Sequence, residues 1–114
     1  MGSFRDLVVY RRSAVLADGL HSVVLHWRSF DRWTVGVQLV RAADSVGANI
    51  AEAAGRRTDA EKRRFLIVAR GSVLELQHWL DRAKTRRLPL PTDAGRDAAE
   101  LGRMLNGLVK ATDD

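Results

Sequence analysis

The chain has no cysteine, and that absence removes disulfides, thiolate metal sites and thiol nucleophiles together. It fits a reducing compartment, so a cytoplasmic location is expected. Proline is nearly as scarce, with two residues, both inside Leu88-Pro89-Leu90-Pro91, so nothing upstream forbids long helices. Apolar runs are short and broken by arginine, which argues against a membrane span. Met1–Tyr10 lacks the apolar stretch of a secretory signal. Glycine-rich phosphate loops are missing. So is a G-x-S-x-G elbow: Ser72 follows Gly71 without a histidine–acid pair poised for it. An enzyme is not expected, nor a cofactor.

What is present is a small and strongly charged chain. Its 114 residues, 46% of them hydrophobic, provide for one domain (1–114) with one core and argue against intrinsic disorder. Nineteen Lys and Arg against fourteen Asp and Glu leave a net charge of +5. The cations are mostly arginine, the side chain suited to bidentate phosphate contact. Two readings stand: a well-solvated surface, or attraction to nucleic acid or another polyanion. Net charge alone does not separate them.

Apolar residues recur at steps of three and four, the helical period. A first helix over about 5–27 carries Leu7, Tyr10, Ala14, Ala17, Leu20 or His21, Val24 and Trp27, with Ser3 and Asp6 as a cap pair. Ser29-Phe30-Asp31 interrupts the pattern, and Asp31 caps the next helix. That second helix, over about 32–54, carries Leu39, Ala43, Val46, Ile50 and Ala53 and stops with Gly55 at C′. Thr58-Asp59-Ala60-Glu61 is a capping box that opens a third helix over about 59–87, with Phe65, Ala69, Ser72, Leu76, Trp79 and Ala83. Beyond the prolines, a fourth over about 93–111 carries Ala98, Leu101, Leu105 and Leu108. Its Gly95, Gly102 and Gly107 make it the least stable element. No β-alternation, internal repeat or low-complexity stretch appears. Amphipathic helices joined by short loops predict an all-α, antiparallel up-down-up-down four-helix bundle, its first three helices roughly 33–45 Å long.

Beside the apolar stripe of the second helix runs a polar one, Ser45, Asn49 and Glu52, and the third has Arg63, Arg70 and Glu75 near its own. If Gly55 turns these helices into a hairpin, Glu52 meets Arg63, Ser45 meets Arg70, and Arg41 meets Glu75. Such a seam fixes helix register more than it adds stability, about 0–1 kcal/mol per exposed pair. The other reading is that part of it lines a subunit interface or contacts a ligand.

The same topology sorts the cations. The loops after the first and third helices share one end, gathering Arg28, Arg32, Arg82, Lys84, Arg86 and Arg87 against Asp31 and Asp81. The opposite end gathers Arg5, Arg56, Arg57, Lys62, Arg63 and Arg64, offset by Asp6, Asp59 and Glu61. The first end is less compensated and is the expected contact surface. Trp27 and Trp33 flank its loop, placed either to stack on bases or to anchor the loop in the core. No recognition helix, RNP-like aromatic pattern or zinc finger is present, so RNA or DNA would be bound largely without regard to sequence.

One pattern has the form of a metal site. Glu75-Leu76-Gln77-His78 and Asp18-Gly19-Leu20-His21 are carboxylate–histidine pairs at i, i+3, with Glu52 and Asp97 or Glu100 as further carboxylates. Dimetal bundles use such sets. Glu75 and His78 flank the core stripe instead of occupying it, and the hairpin register sets Arg41 beside Glu75, so no metal is expected.

Three stretches resemble a known family. Gln38-Leu39-Val40-Arg41-Ala42-Ala43-Asp44-Ser45-Val46-Gly47-Ala48-Asn49-Ile50-Ala51-Glu52-Ala53-Ala54-Gly55-Arg56 is similar to the signature of the bacterial four-helix-bundle family of 23S rRNA intervening-sequence proteins. That family includes the accessory variability determinant (Avd) proteins of diversity-generating retroelements. Residues Arg64 to Leu76 resemble its second signature, and Phe4 to Tyr10 its opening. The chain departs at Gly47, where proline is common, and at Ala53-Ala54, where glycine often follows the glutamate. The resemblance implies antiparallel four-helix bundles assembled as ring-like homopentamers. For the Avd branch it also implies nucleic-acid binding and partnership with a reverse transcriptase. The alternative is a structural oligomeric scaffold of the same family with no direct nucleic-acid role.

Overall fold

A reciprocal cap opens the described part of the chain, which in this computed structural model is residues 3–112. Ser3 Oγ accepts the N–H of Arg5 at 3.0 Å and Asp6 Oδ2 accepts that of Ser3 at 3.1 Å, the predicted pairing. It caps only a 3-10 turn, Phe4–Asp6. Leu7 is extended, and helix α1 is Val8–Val24. Phe4 packs edge-on against Tyr10, ring centres 4.9 Å apart, which folds the opening turn back onto α1. The buried face of α1 begins Val9, Ser13 and Leu16, not the predicted Leu7, Tyr10 and Ala14. Both sets have helical spacing. Ser13 disguised the true one, and it tolerates burial because its hydroxyl donates to Tyr10 O at 2.7 Å. From Ala17 through Leu20 and Val24 to Trp27 the predicted stripe is the buried one.

Helix α2 covers 29–54 in three joined parts: Ser29–Asp31, a π-helical turn Arg32–Gly36, and Val37–Ala54. Asp31 therefore lies inside the helix and caps nothing, because the helix starts after Arg28, three residues earlier than predicted. Thr34 Oγ1 donates to Phe30 O at 2.8 Å, serving a carbonyl in the widened turn. Gly36 sits where α1 crosses: a Cβ there would lie 2.7 Å from Val24 Cγ1. Gly55 ends α2 at φ −86° with its N–H on Glu52 O and Ala51 O, a tightened last turn in place of the predicted C′ geometry.

The Thr58–Glu61 capping box is formed as predicted and opens α3, Asp59–Thr85. The helix ends two residues short of Arg87 because Arg87 turns left-handed, φ 59°. The N–H of Leu88 reaches Ala83 O at 2.9 Å and that of Arg87 reaches Lys84 O at 3.0 Å. Those two bonds form a Schellman stop with arginine where glycine is usual. Helix α4 is Ala94–Ala111.

Contacts between neighbours define the topology. Gly36 lies against Val24 and Gly47 against Ser13 and Tyr10, so α1 and α2 run in opposite senses. Ser45 meets Ser72, and Ile50 and Ala53 share a groove with Lys62 and Leu66, which makes α2 and α3 antiparallel. Gly102 lies against Val73, and Arg70 bonds Asn106, giving the same for α3 and α4. Arg12 bonds Glu100 while Val8 lies near Met104 and Leu108, closing the ring between α4 and α1. The result is the predicted all-α four-helix bundle, 45 × 23 × 21 Å. Its interior is built of Leu20, Leu39, Ile50, Leu76, Leu101 and Leu105, each at most 1% exposed. Each contributes about 1.5–3 kcal/mol on burial. Ala43, Ala69, Ala83 and Ala98 between them let the helices approach closely.

The polar seam exists, but with other partners. Asn49 Nδ2 donates to Ser45 O at 2.8 Å and Ser45 Oγ lies 2.8 Å from Ser72 Oγ, whose proton goes to Val68 O at 3.2 Å. One proton per hydroxyl sets the direction, so Ser45 donates to Ser72. Arg70, predicted to face Ser45, bonds Asn106 on α4 at 3.1 Å. Glu52 pairs with Arg56 at 2.7 Å. Glu75 accepts the indole N–H of Trp79 at 3.2 Å, and among the described residues no ion pair joins it to Arg41. Arg63 is half-buried near the start of α3. The hairpin register is displaced by about two positions because Gly55 does not make the tight left-handed turn that the predicted register assumes.

Candidate nucleic-acid interface

Trp27 decides which loops share an end. It is 5% exposed, and its Nε1–H donates to Pro89 O at 2.9 Å, stitching the α1–α2 loop to the α3–α4 loop. Burial with a satisfied N–H makes it an anchor. The antiparallel helix order places the six predicted contact residues at this end of the bundle. Arg28, Lys84, Arg86 and Arg87 are exposed there, while Arg32 and Arg82 are half-buried. Among the described residues none of the six is in an ion pair. Arg82 and Lys84 occupy the last turn of α3, where the unpaired carbonyls favour positive charge.

Arg32 differs from the others. Its Nη1 donates to Leu25 O at 3.3 Å and its guanidinium lies 5.8 Å from the Trp33 ring centre. It ties the end of α1 to the π turn, and less of it is left for a phosphate. At the opposite end Arg56, Arg5 and Arg64 are engaged, while Arg57 and Lys62 are in no ion pair among the described residues. Arg56 pairs with Glu52 at 2.7 Å and lies 4.5 Å from the Phe65 ring centre. Arg5 covers Phe4 at 4.5 Å and Arg64 lies 5.8 Å from Phe65. Both ends thus keep cations outside any ion pair among the described residues, four exposed ones at the loop end and the exposed Arg57 with the half-buried Lys62 at the other.

Trp33, which the sequence places either to stack on bases or to anchor the loop, is 69% exposed and so is no anchor. Two features escaped the sequence reading. The first is a second exposed ring at the loop end, Phe30, 79% exposed. The π turn that carries Trp33 has no sequence signature beyond the small Gly36. The second is a groove of about 580 Å³ between α1 and α4, bordered by Arg11, Arg12, Arg96 and Arg103. Glu100 accepts Arg12 at one carboxylate oxygen (3.1 Å) and Arg103 at the other (3.0 Å). The Arg103 hydrogen bond, with the charges of Arg103 and Arg12, outweighs partial desolvation and holds the Glu100 carboxyl below the usual carboxylate range. Only the pairing of first and last helices creates this site, and no short loop in the sequence sets that pairing.

The candidate metal ligands do not converge. Glu75 is taken by Trp79, His78 stands edge-on to Trp79 at 4.7 Å, Glu52 is paired with Arg56, and Glu100 holds two arginines. Among the described residues no three His, Cys, Asp or Glu side chains come together, and no helix is long and apolar enough to cross a membrane.

Among curated proteins none matches the chain. The family model described as 23S rRNA-intervening sequence protein matches residues 5–107, which covers α1 to α3 and most of α4. The chain belongs to the 23S rRNA-intervening sequence protein family.

Proposed function

We propose that the protein is a non-enzymatic, basic nucleic-acid-binding accessory protein that uses its loop end. The observation that carries this reading is the set of four exposed cations there, Arg28, Lys84, Arg86 and Arg87, with no ion-pair partner among the described residues. Each phosphate they neutralise releases condensed counterions, so affinity falls steeply with salt. No base-reading element accompanies them, so RNA and DNA of many sequences are accepted.

Assembly belongs to the same reading. Val15 and Leu74 are 74% and 64% exposed on the flanks of the bundle, which supports packing against further copies of the chain as a homopentamer. A ring of copies multiplies the cationic end, and repeated weak contacts gain from avidity. In its most specific form the protein is Avd-like and assists a reverse transcriptase, which co-purification with the enzyme tests. A scaffold without nucleic-acid contact is the competing reading, favoured by the same exposed flanks.

Fluorescence anisotropy with labelled RNA and DNA oligonucleotides across a salt series separates them. Binding at low salt, weakened uniformly across sequences by Arg28→Glu, Lys84→Glu and Arg86→Glu, is the expected result. No binding even at low salt leaves the scaffold.

A further inference from the structure

The loop end is aromatic as well as cationic. Phe30 and Trp33 are among the most exposed large apolar side chains of the described residues, and Leu25, which lines one groove with Trp33, is 53% exposed. The tryptophans divide by use. The indole N–H of Trp27 is given to Pro89 O and that of Trp79 to Glu75, whereas Trp33 makes no hydrogen bond within the described residues. Trp33 is no part of the buried core, and its one ring contact among the described residues is Arg32, at 5.8 Å near the outer limit of cation–π attraction.

Below Trp33 a groove of about 500 Å³ runs along the α1–α2 seam. Its floor is aliphatic, Val24, Val37 and Val40, and Arg32, Arg41 and His21 stand at its edges. Arg41 is exposed and in no ion pair among the described residues. The π turn holds this arrangement: one wide turn in an otherwise α-helical segment, locked against Val24 by the missing Cβ of Gly36. Such turns recur where a helix presents groups for function. Aromatic faces flanked by unpaired arginines are the chemistry that takes bases out of water while holding the phosphates that link them. A duplex offers no unstacked base to such a ring.

We infer that Trp33 and Phe30, with Arg41, form a stacking site for unpaired bases, so that the protein prefers single-stranded nucleic acid to duplex. This rests on the nucleic-acid reading above and names its ligand class.

The test compares one oligonucleotide sequence, single-stranded and annealed, against wild type, Trp33→Ala and Trp33→Phe at matched salt, with sedimentation to follow oligomeric state. Trp33 is mostly exposed, so the variants keep their core, which circular dichroism verifies. Trp33→Ala should weaken single-strand binding about 5- to 150-fold, the range of one base–aromatic stack, and leave duplex binding unchanged. Trp33→Phe should recover most of the loss. Tryptophan emission of the wild type should be quenched by the single strand, with the quenching absent in Trp33→Phe. Equal binding of both forms, unaffected by Trp33→Ala, overturns the stacking site and leaves the broader function standing. Unchanged binding with a changed oligomeric state also overturns it, assigning the patch to a subunit contact. Absence of any binding by wild type sinks the broader reading itself, and this one with it.

Discussion

Arg87 holds a backbone conformation that suits glycine, and replacing it separates the protein's stability from its charge. At φ 59° a side chain with a Cβ costs about 1–2 kcal/mol relative to its relaxed state. Glycine removes that cost and returns about 0.5–1 kcal/mol through its larger entropy loss on folding. Arg87→Gly should therefore stabilise the bundle by about 0.5–1 kcal/mol, which for a domain of this size raises Tm by about 2–6 °C. Arg87→Ala is the control, since alanine keeps the Cβ and the strain but loses the guanidinium. The side chain is exposed and in no ion pair among the described residues, so alanine should stay within about 0.5 kcal/mol of wild type. Thermal unfolding followed by circular dichroism at one fixed protomer concentration reads both, because any self-association makes Tm concentration-dependent. Nucleic-acid affinity should fall in both variants alike, since both lose the same charge. If Arg87→Gly melts no higher than Arg87→Ala, the left-handed residue is not strained as argued and the reasoning fails.

Two glycines in helices should respond oppositely to alanine. At Gly107 nothing lies within 4 Å of an added Cβ, so Gly107→Ala should gain up to about 1 kcal/mol in urea unfolding; a loss there would mean the site is covered by something else. At Gly36 the Cβ would press on Val24 Cγ1 and Asp31 O. Overpacking of about 1–3 kcal/mol then exceeds the propensity gain, so Gly36→Ala should lower Tm, and a rise would contradict the tight crossing. Glu100, whose carboxyl is held below its ordinary range by Arg103 and Arg12, stabilises the folded state while it is ionised. That contribution is present above the unfolded carboxylate range and is lost as pH falls through the lowered value. At low salt, wild type should out-melt Glu100→Gln at neutral pH, and the two should converge in acid; a gap that persists in acid refutes the assignment.

What was legible in the sequence was local chemistry and what local chemistry forces. Both capping boxes, Ser3–Asp6 and Thr58–Glu61, are closed within three residues and could be read directly. The gathering of cations at one end follows from short loops and alternating direction, whatever the detailed packing. What could not be read depends on packing between helices. In the first half of α1, Leu7-Tyr10-Ala14 and Val9-Ser13-Leu16 are equally periodic, and only the bonded hydroxyl of Ser13 makes the second buriable. The predicted hairpin register depends on a glycine turn that Gly55 does not make. The end of α3 lies two residues before the predicted 87, because the stop at Arg87 carries no glycine to announce it.

The irregularities also have a location. The end closed by Gly55 and the Thr58 box has a capped start to α3 and a paired Arg56, with α1 opening there behind a 3-10 turn and without a side-chain cap. The loop end has a π turn, an arginine in left-handed backbone, uncapped starts to α2 and α4, and two aromatic rings in water. Loop closure does not require arginine at 87, since glycine would hold the same left-handed turn at lower cost. Unfavourable local choices cluster where a protein is selected for something besides folding. Arginine at a glycine position contributes charge where glycine would contribute stability. That trade is intelligible if the loop end meets a polyanion, and the left-handed backbone at Arg87 sets this end apart from the opposite one.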